Sequence, residues 1–429
     1  MTPAVDVYPE RALVDELLEV TARGFDRNDQ VTLRASVATD RGTWEGRATF
    51  VADDEGRVDP ATQAPVEGTY DGVSPMGLVQ FARRVERPDL EPPETRVDAF
   101  VDGDVVATAT CERRLAGDVV VESIADDRLV GTVLRPPGDG PHPGVLLVGG
   151  AESGVQTAPR AKLLASRGYA VCSLAYFGAA GLPDDLVEVP LEYFDRAVDW
   201  LAGRETVRPE PLGVVGISRG SEAAVLTAAR RDDVRTFVGV APGSHAFQGL
   251  SAGFSTGAAW SEDGDPVPSV PFRWGPTDTL RLWGNRLLAR PNRFRHAYAG
   301  GLADVDEATG EAAALPITEV GGPVLLVSGD DDQVWPSAAF GDRLIARLDD
   351  ADYPHEYDHL VVEGAGHAIG VPYRPVFGRN VGSDGRFKLA LGGTPEGYAR
   401  ADAVSWPRIL ATLRTGLRVD RDREFATEE

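Results

Sequence analysis

Polar and apolar positions alternate in short runs over the amino-terminal quarter of the chain. Residues 30–39 (QVTLRASVAT) and 43–52 (TWEGRATFVA) repeat with a period of two, and turn sequences such as DRG and DGD separate these runs. The stretch 97–114 closes the region with the same pattern. Because no long helical segment interrupts this alternation, it predicts an antiparallel β-sandwich over residues 1–116.

From residue 117 onward, continuous apolar runs alternate with amphipathic helical segments. A strand pair resembling a hairpin comes first, and the remaining strands are predicted at 144–150, 170–178, 212–218, 236–243, 323–332 and 359–367. Helices are predicted between them at 161–169, 191–204 and 221–231. This alternation is typical of a mostly parallel sheet with helices on both faces, and it predicts a second domain over 117–429.

One long segment, residues 244–320, interrupts the alternation between two predicted strands. It is rich in Trp, Arg, Pro and Gly and has no regular period. Segments of this length are uncommon inside compact domains unless they serve a function. We therefore expect it to be a lid or a binding wall.

The chain is strongly acidic, with 67 Asp and Glu against 43 Lys and Arg and a formal net charge of -24. Only Lys162 and Lys388 are lysines; the other basic residues are arginines. This balance favours adaptation to a salty cytoplasm, where dense carboxylates keep a protein hydrated. The alternative is ordinary acidity in a genome that prefers Arg codons. Either way, the chain offers no general basic face for nucleic acid, and no nucleic-acid partner is expected.

Three further features exclude classes of protein. The first residues lack the charged and apolar segments of a secretion signal, and no apolar run approaches the roughly 18 residues of a membrane span. The two cysteines, Cys111 and Cys172, lack the spacing of metal ligands. We expect a soluble cytoplasmic protein without a membrane partner, a disulfide or a metal; the oligomeric state stays open.

The stretch GVVGISRGSEAAVL (213–226) carries the first chemical signal. Ser218 lies between Gly216 and Gly220, after a predicted strand and before a predicted helix. Gly-x-Ser-x-Gly in this context is a nucleophile elbow, a tight turn that exposes the serine hydroxyl above the sheet. Ser218 is the predicted nucleophile.

A serine hydroxyl needs a base and an orienting acid. Among six histidines, His367 stands after a predicted strand in GAGHAIG, and His245 is the alternative. The acid is expected at the end of the preceding strand, where Asp332 fits best and Asp331 second. The order Ser218, Asp332, His367 is that of an α/β-hydrolase.

An oxyanion hole requires two backbone N–H groups directed at the reacting carbonyl. The first is predicted at Arg219, directly after the nucleophile. The second is predicted in the loop GGAESG after strand 144–150, at Gly150 or Ala151.

Four motifs resemble the acyl-CoA thioester hydrolase / bile acid-CoA:amino acid N-acyltransferase family over nearly the whole chain. They are EGTYDGVSPMGL (67–78), GISRGSE (216–222) with Glu222, GAGHAIGVPYRP (364–375) and LGGTPEGYARADAVSW (391–406). The resemblance implies a β-sandwich before an α/β-hydrolase domain, and it gives Ser218, Asp332 and His367 the roles of nucleophile, acid and base.

The resemblance also implies a substrate, a small-molecule acyl-CoA thioester, and no cofactor beyond the coenzyme A of that substrate. Thioesterases of the family carry serine at the elbow and amino-acid conjugating enzymes carry cysteine, so Ser218 favours hydrolysis. The open alternatives are an esterase or lactone hydrolase of the same mechanism, an N-acyltransferase, and a non-catalytic binding protein.

An arginine cluster in the long segment is a candidate for the coenzyme A phosphates, because guanidinium groups match phosphates bidentately. Arg273, Arg281, Arg286 and Arg290 are the candidate substrate-binding residues, with Arg293 and Arg295 nearby. The alternative is an exposed helix whose arginines pair with acids elsewhere.

Overall fold

The amino-terminal strands belong to the first of two compact units, which consists of Met1–Gly117 and Val371–Gly378. This computed structural model of the chain describes residues 2–39, 42–86, 90–151, 158–251, 257–384 and 387–419. The elements of the first unit are β1 (Ala4–Tyr8), β2 (Arg11–Leu13), β3 (Glu19–Arg23), β4 (Gln30–Thr39), β5 (Gly42–Val51), β6 (Arg57–Val58), β7 (Glu67–Gly68), α1 (Gly77–Gln80), β8 (Arg83–Val85), β9 (Glu94–Val101) and β10 (Asp104–Arg114).

These strands form two sheets. One has the order β1-β3-β6, and the other has the order β2-β10-β9-β4-β5-β7, with β8 also paired to β5. The pairs are antiparallel except β2 with β10, which is parallel. The predicted alternation is visible in β4, where Val31, Leu33 and Ala35 are buried and face one side. Strand β1 packs on β9 and β10, so the sheets cover each other.

The motif EGTYDGVSPMGL has a packing role in this unit. Gly77 of this motif is the first residue of α1, and the ring of Tyr70 packs against it. A Cβ on Gly77 would lie 2.4 Å from carbons of that ring. A Cβ on Gly46 of β5 would likewise lie 1.9 Å from the carbonyl oxygen of Leu78. Both glycines therefore allow α1 to sit directly on the sheet.

The second unit consists of Asp118–Gly370 and Arg379–Glu429. Its strands are β11 (Val120–Ser123), β12 (Val130–Arg135), β13 (Gly144–Val148), β14 (Ala170–Ala175), β15 (Val189–Pro190), β16 (Leu212–Ile217), β17 (Val234–Val240), β18 (Trp260–Glu262), β19 (Asp265–Pro266), β20 (Val324–Gly329), β21 (Tyr357–Val362), β22 (Val381–Asp384) and β23 (Phe387–Ala390). Its helices are α2 (Ala158–Ser166), α3 (Leu191–Ala202), α4 (Arg219–Arg230), α5 (Pro276–Leu287), α6 (Arg295–Asp304), α7 (Glu307–Ala313), α8 (Ser337–Asp350) and α9 (Pro395–Gly416).

Eight strands form the central sheet in the order β11-β12-β14-β13-β16-β17-β20-β21. Strand β12 is antiparallel to both of its neighbours, and the pairs from β14 to β21 are parallel. On β16, a Cβ on Gly216 would meet Ala224 of α4, and a Cβ on Gly213 would meet Leu413 of α9. Residues three apart on a strand point to opposite faces, so helices cover both faces of the sheet.

The segment between β17 and β20 is more regular than its sequence suggests. The expected irregular stretch contains α5, α6 and α7, a short 3-10 helix at Ile317–Glu319, and the strand pair β18–β19. Its helices are short, and each is interrupted by Gly, which masks an apolar period. Among the described residues, no helix is both long and apolar enough to cross a bilayer.

Candidate active site

Ser218 occupies a strained turn between β16 and α4. Its backbone φ of 53° and ψ of -124° lie in a region that residues with a side chain rarely adopt. A Cβ on Gly220 would lie 2.0 Å from the carbonyl oxygen of Gly149, and one on Gly216 would lie 2.5 Å from that of Gly220. The two glycines therefore allow a turn sharp enough to raise the serine above the sheet.

A continuous chain of hydrogen bonds joins Ser218, His367 and Asp332. The Oγ of Ser218 lies 2.8 Å from Nε2 of His367, and Nδ1 of His367 lies 2.7 Å from Oδ2 of Asp332. Asp332 is fully buried, and the His367 side chain is 11% exposed. The sequence candidates, which lie up to 149 residues apart, thus meet at the carboxyl ends of β16, β20 and β21.

Backbone and side-chain donors hold Asp332 in place. Its Oδ1 accepts hydrogen bonds from the N–H groups of Val334 (2.9 Å) and Trp335 (3.2 Å). Its backbone carbonyl accepts one from Nη1 of Arg295 at 2.6 Å. Because Oδ1 is bonded to two backbone N–H groups and Oδ2 contacts His367, the carboxylate has a single orientation.

The neighbouring Asp330 and Asp331 accept hydrogen bonds from backbone N–H groups of nearby loops and do not contact His367. Asp331 Oδ2 accepts from the N–H of Gly393 at 2.8 Å, and Asp330 Oδ1 accepts from the N–H of Gly364 at 2.7 Å. Asp331, the second choice for the acid, is therefore a loop anchor. The residue in contact with His367 is Asp332.

The loop that carries His367 is held by buried charged side chains. Arg160 of α2 donates to the carbonyls of Ile369 (3.2 Å) and Gly370 (3.1 Å), and burial lowers the pKa of Arg160 to about 10. Asp402 of α9 accepts from the N–H of Gly370 at 2.6 Å and pairs with Arg379. Burial raises the pKa of the Asp402 carboxyl, although Arg379 opposes this.

His245, the alternative base, lies elsewhere. Its Nδ1 is 2.7 Å from Oγ of Ser244, and its backbone forms a bridge with Ala314. Burial, with Arg343 and Arg347 nearby, lowers the pKa of His245 to about 4. It is a neutral packing residue at neutral pH, and His367 is the histidine that the fold brings to Ser218.

Two segments surround Ser218 with candidate oxyanion donors. A Cβ on Gly150 would lie 3.7 Å from Oγ of Ser218, so the loop after β13 passes beside the serine. The hydroxyl oxygen of Tyr176 lies 2.9 Å from the carbonyl oxygen of Gly149 and 2.7 Å from that of Gly150, and its one proton is shared between them. In a trans peptide the N–H points away from the C=O, so the N–H groups of Gly150 and Ala151 point away from Tyr176. Residues 152–157 of this loop lie outside the described residues.

The N–H of Arg219 is in the first turn of α4, where amides have no acceptor within the helix. It therefore stays available next to Ser218. The positive end of the helix dipole adds to the attraction for an anion at this point.

The side chain of Arg219 forms a buried network that sequence reasoning missed. Its Nη1 lies 2.9 Å from Oε1 of Glu222, and its Nη2 donates to the carbonyls of Phe247 (3.0 Å) and Gln248 (3.1 Å). Glu222 Oε2 accepts from Nε1 of Trp260 at 2.8 Å. Burial raises the pKa of Glu222 to about 7, while Arg219 acts in the opposite direction. Glu222 stood out in the motif and lies three residues after Arg219, but Trp260 and the carbonyls on Arg219 lie too far along the chain for a local pattern to indicate.

The four candidate arginines have different surroundings. Arg273 pairs with Asp304 at 3.3 Å, and the guanidinium of Arg286 lies 5.9 Å from the ring centre of Trp283. Arg281 borders a cavity of about 10 Å³, which is room for about one water. Arg290 is exposed after α5. A role for any of them with a phosphate stays a prediction; Arg295, by contrast, contacts Asp332.

The order of the central sheet, the strained turn at Ser218 and the helices on both faces define the second unit as an α/β-hydrolase fold, as the sequence predicted. Residues 189–418 match the family model described as BAAT / Acyl-CoA thioester hydrolase C terminal. Residues 15–124 match the model of the Acyl-CoA thioester hydrolase/BAAT N-terminal region. The chain therefore belongs to the family of acyl-CoA thioester hydrolases and BAAT proteins, which confirms the resemblance.

Three relatives illustrate the range of the family. Rat acyl-coenzyme A amino acid N-acyltransferase 2 is 28% identical, over 95% of this chain and 97% of its own length. Rat acyl-coenzyme A thioesterase 1 is 28% identical, over 93% of each chain. The mouse peroxisomal succinyl-coenzyme A thioesterase is 27% identical, over 96% of each chain. The named relatives thus include both hydrolases and an acyltransferase.

Proposed function

We propose that this chain is a serine thioesterase that hydrolyses acyl-CoA through an acyl-Ser218 intermediate. The observation that carries the proposal is the 2.8 Å contact between Ser218 Oγ and His367 Nε2. Relatives matching more than nine-tenths of the chain are named acyl-coenzyme A thioesterases, which supports coenzyme A thioesters as the substrate class.

In the first half of the reaction, His367 Nε2 takes the proton of Ser218 as Oγ attacks the thioester carbonyl. Asp332 accepts the Nδ1–H of His367 and stabilises the imidazolium. The N–H groups of Arg219 and of Gly150 or Ala151 hold the oxyanion, and one such donor is worth about 3–4 kcal/mol. The C–S bond breaks, and the proton on His367 accompanies the sulfur as free coenzyme A.

In the second half, His367 takes a proton from water, and the resulting hydroxide attacks the acyl-Ser218 ester. The collapse of that intermediate breaks the C–O bond to Ser218, and His367 returns its proton to Oγ. The products are the free acid and the original serine. No oxidant, metal or additional cofactor enters this balance.

Serine is the residue that favours water over an amine as the acceptor. An acyl-serine is an oxygen ester, whereas an acyl-cysteine would be a thioester, which amines attack more readily. One relative is named as an N-acyltransferase, so transfer is the rival outcome for this family.

The test measures free thiol released from saturated, branched and aromatic acyl-CoA substrates, beside nitrophenyl esters, by the purified chain in concentrated KCl. We expect coenzyme A thioesters to be preferred and Ser218→Ala to abolish turnover with unchanged circular dichroism. Preference for short oxygen esters would instead identify an esterase. Acyl-glycine formation in the presence of glycine would identify a transferase. Failure of Ser218 to react with a fluorophosphonate probe in folded protein would indicate a non-catalytic binding protein.

A further inference from the structure

Helix α5 is inverted relative to an ordinary surface helix. None of its twelve residues is buried, and its polar side faces the protein. Asp278 lies 3.0 Å from His296, Thr279 accepts from the indole N–H of Trp274 at 2.9 Å, and Asn285 donates to Asn292 at 3.1 Å. Amphipathic helices normally turn their apolar stripe to the core, so the opposite stripe of α5 requires another explanation.

The outward side of α5 is apolar. Leu280 is 75% exposed, Trp283 61%, Leu287 86%, and Leu288, directly after the helix, 59%. At about 100° per residue these four positions fall on one arc of the helix. They are four of the most exposed large apolar side chains in the described part of the chain, and such clusters on a soluble protein mark interaction sites.

Arginines border this arc on both sides. Arg281 and Arg286 lie roughly 100° to either side of its centre on the helical projection. Arg290 and Arg293 follow in the loop, and none of these four is within 4 Å of an acidic group in the described residues. The chain as a whole carries a net charge of -24, so this cationic and apolar surface is a local exception. We call the surface formed by Leu280, Arg281, Trp283, Arg286, Leu287 and Leu288 the α5 face.

We propose that the α5 face binds an anionic lipid surface, with the helix lying flat in the headgroup region. Leucine and tryptophan side chains enter the boundary of the acyl chains, and the bordering arginines pair with lipid phosphates, as in interfacial amphipathic helices. The acidic remainder of the chain is repelled by such a surface, which orients the protein with α5 towards the lipid. The sequence-based expectation of no membrane partner rested on spanning segments, which an interfacial helix does not need.

The positive charge of the α5 face favours an anionic lipid surface over a second copy of the chain. Two α5 faces meeting across a two-fold axis would place the arginines of one copy in the same interface as those of the other, with like charges close together. A small soluble anion would pair with the arginines but would leave Leu280, Trp283 and Leu287 in water. A lipid surface satisfies both the charge and the apolar side chains.

Co-sedimentation with vesicles tests the proposal without reference to catalysis. The purified chain is mixed with vesicles of phosphatidylcholine alone or with phosphatidylglycerol, at the lowest KCl concentration that leaves its circular dichroism unchanged. We expect binding to the anionic vesicles only, weakened by added salt. Arg281→Gln with Arg286→Gln should lower the partition coefficient by about fivefold per arginine. Leu280→Ser with Leu287→Ser should remove binding.

Val66→Ser with Val121→Ser is the matched control, since these valines are 59% and 56% exposed elsewhere in the chain. It should bind like the native protein. Equal sedimentation with both vesicles, or native binding by both α5 double variants, would overturn the proposal. So would an α5-dependent dimer that ignores vesicles. A raised KM for short-chain acyl-CoA in the arginine variant, with vesicle binding intact, would assign the arginines to the substrate instead.

Discussion

Glu222 and Arg219 form an ion pair within the first turn of α4, with 2.9 Å between Oε1 and Nη1 and side-chain exposures of 0% and 1%. Arg219 is also the residue whose backbone N–H is the proposed oxyanion donor. Through Phe247 and Gln248 the same guanidinium holds the segment after β17. Removing one partner of such a pair leaves an uncompensated buried charge, which costs about 3–5 kcal/mol.

The protonation of Glu222 should make stability depend on pH. Burial raises its pKa from 4.5 to about 7, so between these values the folded protein keeps a proton that the unfolded chain releases. The free energy of unfolding therefore falls as pH rises through this window. Glu222→Gln removes this contribution, so the unfolding free energy of the variant relative to the native protein should rise by about 3 kcal/mol between pH 4.5 and above pH 7, on top of the constant cost of losing the ion pair. Chemical denaturation across pH measures the difference.

Glu363→Gln is the control for that experiment, because the Glu363 side chain is 86% exposed. At every pH, the free energy of unfolding of Glu363→Gln should equal that of the native protein. If the unfolding free energies of the native protein and of Glu222→Gln change with pH in parallel, then Glu222 of the folded protein is already ionised between pH 4.5 and 7.

Asp332→Asn should lower kcat by about three to four orders of magnitude with little change in KM. The amide keeps the shape of the carboxylate but can present an N–H to His367, which favours the tautomer that cannot accept the serine proton. Steady-state kinetics on one acyl-CoA measures the effect. Asp331→Asn is the matched control, since Asp331 bonds Gly393 and Gln333, and it should retain most of the activity.

Tyr176→Phe should lower kcat by roughly tenfold, less than the loss of an oxyanion donor itself. The substitution removes the hydroxyl that holds the carbonyls of Gly149 and Gly150, so the loop amides lose their fixed direction. Tyr193→Phe is the control, because that buried hydroxyl also makes two backbone contacts, with Ala175 and Val130. Both variants should lose similar stability, and only Tyr176→Phe should lose kcat. An equal loss of kcat in both would assign the effect to packing.

Gly216→Ala and Gly220→Ala should destabilise the chain by several kcal/mol or prevent folding. Their new methyl groups would lie 2.5 Å from the carbonyl oxygen of Gly220 and 2.0 Å from that of Gly149, and buried backbone packed this closely cannot move cheaply. Gly284→Ala in α5 is the opposite case, because a Cβ there meets nothing within 4 Å. It should stabilise the helix by about 0.5–1 kcal/mol. Thermal unfolding of the three variants, in parallel, provides the comparison.

Much of the fold was predictable, because the signals are local. The Val and Leu runs of β13, β16 and β20 indicate buried strands, and the Gly-x-Ser-x-Gly turn joins one of them to a helix. His367 and Asp332 follow from their places after β21 and β20. Their mutual contact then follows from parallel strands, whose carboxyl ends share one edge of the sheet.

The supports of the site were not predictable from local patterns. Arg219 and Glu222 are charged, and a sequence pattern assigns charged residues to the surface. Partners about thirty to forty residues away, Trp260 and the carbonyls of Phe247 and Gln248, bond one nitrogen of Arg219 and one oxygen of Glu222 in the interior. Arg160 reaches the His367 loop across more than two hundred residues. An exposed helix was the alternative for the arginine cluster, and α5 is such a helix. Its outward apolar stripe was not predicted, because an apolar period in the sequence does not show which side of a helix faces the protein.

The three residues of the hydrogen-bond chain follow strands of the central sheet, whereas the segment between β17 and β20 is one uninterrupted stretch of chain. Among the described residues, that stretch contacts the site through the carbonyls of Phe247 and Gln248 on Arg219, the indole of Trp260 on Glu222, and Arg295 on the carbonyl of Asp332. On the proposed function, changes elsewhere in this stretch would alter which acyl groups are accepted and leave Ser218, His367 and Asp332 in place. A replacement has to supply two carbonyls, an N–H donor and a cation at those attachment points.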